Sequence, residues 1–153
     1  MKKITFILFA LIAGTTFGQT TISSSAEIIE AISFVENSGL SFGKIDNAAG
    51  TVTITPAGVI TGKTQISGGS ALAGKLTVSG EAEEAYSLTV SETAVLTGPS
   101  SATMNVSAIN HNASEILDAS GDEIVNIGGT LTVGEGQAAG TYEGTISVTV
   151  SYN

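Results

Sequence analysis

Apolar and polar side chains alternate strictly at the C-terminal end of the chain. From residue 141 to residue 151 the odd positions hold only Thr, Glu and Ser. The apolar side chains at the even positions are Tyr142, Ile146, Val148, Val150 and Tyr152. Because successive side chains of a β-strand point to opposite faces, this pattern predicts a strand with one face on a core and the other in water.

The same alternation recurs in shorter form along the rest of the chain, at residues 51–55, 75–80, 86–91 and 102–108. Turn-forming residues separate these segments, and Gly supplies the positive φ that tight turns require. We assign turns to 47–50, 67–70, 98–99, 120–122, 128–129 and 134–136. Only residues 26–35 approach a helical apolar stripe, and their β-branched side chains favour a strand. The pattern predicts an all-β antiparallel fold, with a turn spacing near that of sandwiches and small closed sheets.

The first 18 residues have the layout of a secretory signal peptide. Two lysines follow Met1, an apolar run spans residues 4–13, and small residues precede a cleavage site between Gly18 and Gln19. A transmembrane helix needs roughly 20 apolar residues, and polar residues interrupt this run earlier. We therefore expect a signal peptide at 1–18 and a single exported domain at 19–153 with no membrane span. Its location would be the periplasm, the cell surface or the extracellular space.

The composition excludes several classes of chemistry. The chain has 14 acidic residues against 5 lysines and no arginine, a formal charge of −9, so we expect no nucleic-acid partner. The absence of Cys excludes disulfides, thiol nucleophiles and thiolate metal sites, and a single His leaves few routes to His-based catalysis or metal binding. We expect a protein that is not an enzyme and that holds no cofactor or metal.

Three polar segments contain residue types that occur in catalytic or metal sites, but we assign them no catalytic or metal role. His111 lies between two asparagines in a predicted loop. Residues 118–123 place oxygen ligands at alternate positions, but they lack the Gly and the bidentate Glu of an EF-hand loop and are better interpreted as an acidic turn. The carboxylates of Glu83 and Glu84 could act as an acid and base pair on a glycoside, yet their segment shows no other sign of a cleft.

Several separated segments carry a resemblance to a known group. They are the Leu-Ser-Phe-Gly tetrapeptide at 40–43, the Gly-Thr-Tyr-Glu-Gly segment at 140–144 with its alternating tail, and the stretches 26–32 and 50–56. On these residues the chain resembles an uncharacterised family of exported bacterial all-β domains, similar to the spore coat protein U and archaic chaperone–usher pilin group.

This resemblance implies an immunoglobulin-like antiparallel β-sandwich that lacks one strand and receives it from a neighbouring subunit. The donor would be the segment 20–28, with Ile22, Ala26 and Ile28 on one face and Ser24 between them. The C-terminal strand would then be the assembly strand that pairs with a periplasmic chaperone. The partners implied are copies of the chain or related subunits, a chaperone and an usher. A disulfide that often ties the first strand in that group is absent here.

Two functions follow from these expectations. The leading one is a structural subunit of fimbrial or surface-coat type, for which the resemblance implies assembly by β-strand donation. The alternative is a secreted binding or adhesion module that acts alone as a complete sandwich, with loops such as 114–123 as its contact surface. A sandwich that lacks a strand would leave four or five aliphatic side chains uncovered, at a cost of about 1.5 to 3 kcal/mol each. The two functions therefore predict different behaviour in solution.

Overall fold

The computed structural model describes residues 20–153, which form eleven β-strands and one 3-10 turn at Pro99–Ser101. The strands are β1 Ser33–Ser38, β2 Ser41–Phe42, β3 Gly50–Ile54, β4 Ile60–Gly62, β5 Ala71–Leu72, β6 Gly74–Ser79, β7 Tyr86–Val90, β8 Ala94–Thr97, β9 Thr103–His111, β10 Asp122–Val133 and β11 Val148–Tyr152. Every strand pair is antiparallel. The predicted all-β antiparallel fold is confirmed.

The longest strand, β10, organises the larger sheet. Its first half pairs with β6 and its second half with β3, while β9 pairs with it from Ile127 to Thr132. Outside these pairs, β1 joins β6, β4 joins β3 and β8 joins β9. The sequence pattern did not single out β10, because its apolar alternation is interrupted by two consecutive glycines.

Those glycines correct one of the predicted turns. Gly128 and Gly129 are buried inside β10 and neither has a positive φ. A Cβ at Gly128 would overlap with the carbonyl oxygen of Ile54 and lie 2.8 Å from Pro56. The pairing with β9 also shifts its register between Gly128 and Thr130. Glycine is required here because β3 approaches the backbone of β10 closely, and not because the chain turns.

The second sheet pairs β7 with β11, from Tyr86 opposite Tyr152 to Val90 opposite Val148. The predicted C-terminal strand is therefore shorter than the alternation suggested, since residues 141–147 form only an isolated bridge between Glu143 and Thr97. The expectation of a strand within 26–35 also needs correction. Regular pairing begins at Ser33, opposite Ser79, and residues 20–32 have no regular secondary structure.

A third, short sheet pairs β2 with β5. Side chains from all three sheets form the core, and most of them are aliphatic. Side chains at alternate positions of β3, β6, β7, β9 and β10 point into it. The most completely buried large side chains are Tyr86, Ile54, Leu117, Val52, Val78, Val106 and Val125. The period-two pattern of these strands is the signature of sheets that bury one face each.

None of the described residues belongs to a helix with the length and hydrophobicity that a membrane crossing requires. The predicted signal peptide and its cleavage site at Gly18 and Gln19 lie outside the described residues, and that assignment stays a prediction.

Candidate functional site: an apolar groove beside the core

A groove of about 890 Å³ opens along one side of the core. One set of lining residues comes from β1 and the segment that follows it, including Phe34, Leu40 and Phe42. A second set comes from residues 141–148, including Tyr142 and Ile146. Between them the lining consists of core side chains of the larger sheet: Leu76, Ala94, Leu96, Met104, Val106, Ile127 and Leu131.

The core is least well covered along this groove. Met104, Phe42, Ala94 and Ile127 have the largest exposed fractions of all the buried core side chains, 9%, 8%, 8% and 6%, and all four line the groove. At about 30 Å³ per water molecule, the groove has room for roughly thirty waters. The small remaining exposure of the apolar core is therefore greatest at side chains that line this groove.

The two strands beside the groove each have an unpaired edge. Among residues 20–153, β1 pairs only with β6 and β11 pairs only with β7. Glu30, just before β1, hydrogen-bonds to Tyr152 at the end of β11, so the start of β1 lies near the end of β11. The groove lining takes Phe34, Glu36 and Ser38 from β1 but only Val148 from β11. An extended segment laid against the free edge of β1 would find unpaired backbone N–H and C=O groups there.

Tyr142 lies at one end of the groove, where a second cavity of about 420 Å³ begins. Its ring packs against Gly98, where no Cβ would fit. Its hydroxyl donates to the carbonyl oxygen of Ala138 at 2.8 Å and accepts from the Gln137 amide at 2.8 Å. Tyr142 also lines the second cavity, so the two spaces adjoin at this side chain, which is held in place from both ends.

Two of the charged groups at this end of the molecule form an ion pair. Asp46 lines the second cavity and pairs with Lys63. The Lys63 ammonium, with a further hydrogen bond from the Ala48 backbone N–H, holds the pKa of the Asp46 carboxyl below its usual range. The exposed carboxylate is therefore ionised at neutral pH, and Lys44 lines the same cavity.

The predicted donor residues lie outside the folded core. Ile22 and Ile28 are 90% and 95% exposed, and Ala26 is exposed as well. No residue from 20 to 31 lines the groove of its own chain. Two large aliphatic side chains thus stand in water on a segment with no regular secondary structure. We call residues 20–29 the N-terminal tail.

The tail is attached at a defined point. The Tyr152 hydroxyl donates to the carbonyl oxygen of Glu30 at 2.7 Å and accepts from the backbone N–H of Glu81 at 2.7 Å. The Glu30 N–H donates to the Glu81 carboxylate at 3.0 Å. Gly80 makes room for this arrangement, because a Cβ there would overlap with the Tyr152 hydroxyl. Next to this point the exposed fraction of the residue falls from 95% at Ile28 to 43% at Ile29.

The predicted assembly-strand residues divide into two groups. Tyr142, Ile146 and Val148 line the groove, whereas Val150 and Tyr152 pack half-buried against the core without lining it. The sequence did not point to the contribution of β8 and β9, since Ala94 and Met104 look like ordinary inward positions. The only signal for the β1 side was the tetrapeptide at 40–43, which supplies Leu40, Ser41, Phe42 and Gly43 to the lining.

The other candidate segments do not join the groove. The prediction that His111 lies in a loop is wrong, because it is the last residue of β9 and pairs with Ile127. Its ring nitrogen Nδ1 accepts from the Ala113 N–H at 3.3 Å. The Asp118 carboxylate accepts from the N–H groups of Ser120 and Asp122 and closes a turn, as the sequence suggested. Glu83 and Glu84 are exposed. Residues 20–153 contain no cluster of three or more His, Asp or Glu side chains that could hold a metal ion.

Comparison with protein families gives the class of this chain. A family model described as a domain of unknown function, DUF4402, matches residues 32–152, and the chain belongs to that family. The match begins at the half-buried Ile32 and ends at Tyr152, so it takes in both sides of the groove but not the tail. The comparisons with curated proteins and with solved structures gave no match.

Proposed function

We propose that this protein is an exported, non-enzymatic structural subunit of fimbrial or surface-coat type, in which the N-terminal tail of one copy lies in the groove of the next. The observation that carries the proposal is the groove itself. It is an apolar opening along the core, lined on one side by β1, a strand with a free edge. The sandwich would then be incomplete in the isolated chain and complete in the assembly, through β-strand addition.

The length of the tail fits the groove. The lining residues lie between Phe34 and Ile45 on one side and between Thr141 and Val148 on the other, and the segment from Ile22 to Ile28 is seven residues long. Seven residues of strand span about 23 Å at 3.3 Å per residue. One tail could therefore cover a stretch of about 23 Å along the groove.

The chemistry of the tail also fits. In an extended tail, Ile22, Ser24, Ala26 and Ile28 share one face, and none of them carries a charge. The carboxylate of Glu27 lies on the opposite face, toward solvent. Burying the two isoleucines would contribute about 3 to 6 kcal/mol in total, and the groove side chains that they cover would add to this. Ser24 and Ala26 contribute little, so the two isoleucines would be the anchors.

A second copy is the occupant that we favour because the tail of the same chain lies outside its groove. Export is the part of the proposal that the predicted signal peptide at 1–18 motivates. An assembly chaperone and an usher are the parts that the resemblance to the pilin group motivates. An unfilled groove beside an unpaired edge strand needs protection from wrong pairing before assembly.

The test uses protein recovered in processed form from an export host. Its mass in solution is measured by light scattering and its melting temperature by circular dichroism, with and without a peptide of residues 20–32. A matched peptide with Ile22→Asp and Ile28→Asp is the control. Peptide at a hundred times its Kd adds about 2.7 kcal/mol, which raises the Tm of a domain of this size by roughly 10 °C. Oligomers that dissociate when the unaltered peptide is added, but not when the control peptide is added, support the proposal. A stable monomer whose mass and Tm change with neither peptide contradicts it.

A second function is favoured by the volume of the groove. At about 890 Å³ it falls within the range of small-ligand pockets, which are mostly apolar with few polar groups. In a stand-alone binding or adhesion module the groove would take an apolar ligand and the chain would remain a monomer. A monomer whose Tm rises with an apolar probe such as a short-chain fatty acid, but not with the tail peptide, would favour this function.

A further inference from the structure

If the proposed function holds, two grooves compete for the N-terminal tail: the groove of its own chain and that of a second copy. A tail that can enter a neighbour's groove is also attached to a groove of its own. β1 begins at Ser33 beside that groove, and only four residues separate Ile28 from it. Loops of four residues are common in β-hairpins, so the tail could fold back against the free edge of β1.

Effective concentration favours this self-insertion. A short flexible connection places the tail at its own groove at an effective concentration of about millimolar. A neighbouring chain at micromolar concentration would compete poorly against it. Assembly between copies therefore requires something that holds the tail away from the fold-back path.

The hydrogen bonds at Glu30 are placed to do this. Glu30 sits in the middle of the segment that would have to reverse direction. Its carbonyl oxygen is bound by the Tyr152 hydroxyl at 2.7 Å and its N–H by the Glu81 carboxylate at 3.0 Å. The Tyr152 hydroxyl is fixed in turn by the Glu81 N–H. Both backbone groups of Glu30 are thus held by the end of β11 and the β6–β7 connection, and none of these three residues lines the groove.

We propose that Tyr152 and Glu81 form a clamp on Glu30 that keeps the tail out of its own groove and so directs it to a second copy. Tyr152 acts as a positioning residue: its side chain does not line the groove. This inference rests on the proposed function, and it assigns a role to the last tyrosine that differs from its role in the apolar pattern of β11.

The test replaces Tyr152 by Phe, which keeps the ring in the core and removes both hydroxyl bonds. Losing two hydrogen bonds of ordinary strength shifts an equilibrium by about thirty-fold. We expect the ratio of monomer to oligomer in the Tyr152→Phe protein to rise by about this factor. We also expect the monomer to bind the 20–32 peptide less well, because its own tail occupies the groove. Deleting residues 20–29 from the same variant should restore peptide binding.

Tyr86→Phe is the matched control. It removes a hydroxyl from the residue directly opposite Tyr152 in the sheet, away from the tail and the groove. It should lower the Tm without changing the ratio of monomer to oligomer. Glu81→Ala is a second route to an open clamp, because it removes the acceptor of the Glu30 N–H while leaving Tyr152 in place. It should shift the ratio in the same direction as Tyr152→Phe.

The outcomes separate the two proposals. If the unaltered protein assembles and binds the peptide, but Tyr152→Phe and Glu81→Ala leave both properties unchanged, the clamp is overturned and strand donation stands. If the unaltered protein neither assembles nor binds the peptide, strand donation is overturned and the clamp with it. A loss of Tm in Tyr152→Phe with an unchanged ratio of monomer to oligomer also contradicts the clamp.

Discussion

The hydroxyl of Tyr86 donates a hydrogen bond to the carboxylate of Glu123, joining β7 of the smaller sheet to β10 of the larger one. Tyr86 is fully buried, whereas Glu123 is half-buried and also accepts from the Ser114 N–H at 2.6 Å. The bond therefore links the two sheets at the edge of the core, with its donor inside and its acceptor toward solvent.

This asymmetry predicts unequal costs for removing the two partners. Tyr86→Phe leaves a carboxylate that water can reach, so it should lower the free energy of unfolding by about 1 kcal/mol. Glu123→Ala leaves the buried Tyr86 hydroxyl without an acceptor and also removes the acceptor of the Ser114 N–H. It should therefore lower the free energy of unfolding by about 2 to 3 kcal/mol. Urea unfolding monitored by circular dichroism measures both. Equal losses, or a larger loss in Tyr86→Phe, would show that the buried hydroxyl finds another partner.

The same pair predicts a dependence of stability on alkaline pH. Burial, and then the hydrogen bond and negative charge of Glu123, raise the pKa of Tyr86 well above its ordinary value of 10.0. A group whose pKa is raised on folding stabilises the fold fully below its unfolded pKa, and this contribution is lost as the pH rises above it. The unaltered protein should lose more stability than Tyr86→Phe between pH 10 and 12. Unfolding curves that fall in parallel over this range would contradict the assignment.

Filling part of the groove should weaken the binding of the tail peptide without destabilising the fold. Ala94 lines the groove from β8, and Ala94→Val adds two methyl groups to the space that a tail would occupy. We expect the 20–32 peptide to bind at least ten-fold more weakly. We expect the isolated domain to be unchanged or up to about 1.5 kcal/mol more stable, at about 0.8 kcal/mol per buried carbon.

The control for this change lies next to it on the same strand. Val95 is 54% exposed and does not line the groove, so Val95→Thr should leave peptide binding unchanged. Calorimetric titration of peptide into each variant gives the comparison. Peptide binding that is equally strong in Ala94→Val would place the peptide outside the groove.

Replacing Gly128, inside β10, should impair folding because β3 packs closely against this position. Gly128→Ala would drive a Cβ into the backbone of β3, and we expect a loss above about 3 kcal/mol or a chain that does not fold. Gly136→Ala is the comparison, because Gly136 has a φ of +65° but open space around it. It should cost about 1 to 2 kcal/mol through backbone strain alone. The yield of folded protein and its Tm measure the difference, and similar values for the two variants would contradict the close approach of β3.

Period-two alternation determined the location of strands where one face is buried and the other polar. β3, β6, β7 and β9 lie within two or three residues of their predicted bounds, because each buries alternate aliphatic side chains and exposes Thr, Ser or Asn. The acidic turn at 118–122 was also predictable, since Asp118 bonds to backbone groups only two and four residues away. These features depend on residues that are close in the sequence, so the local sequence pattern predicts them.

Tertiary structure decided what depends on residues far apart in the chain. The alternation at 142–152 continues unbroken, yet only Val148–Tyr152 pairs as a strand, because β7 offers partners only from Tyr86 to Val90. Gly128 and Gly129 resemble a turn in sequence and lie inside a strand because β3 approaches them. The sequence by itself determined that this is an all-β protein with an apolar N-terminal segment. The groove exists only because β1 and residues 141–148 pack around the core without closing over it. The point where the tail joins the fold is set by the contacts among Glu30, Glu81 and Tyr152. Neither arrangement could be predicted from a local pattern, because the residues involved are far apart in sequence.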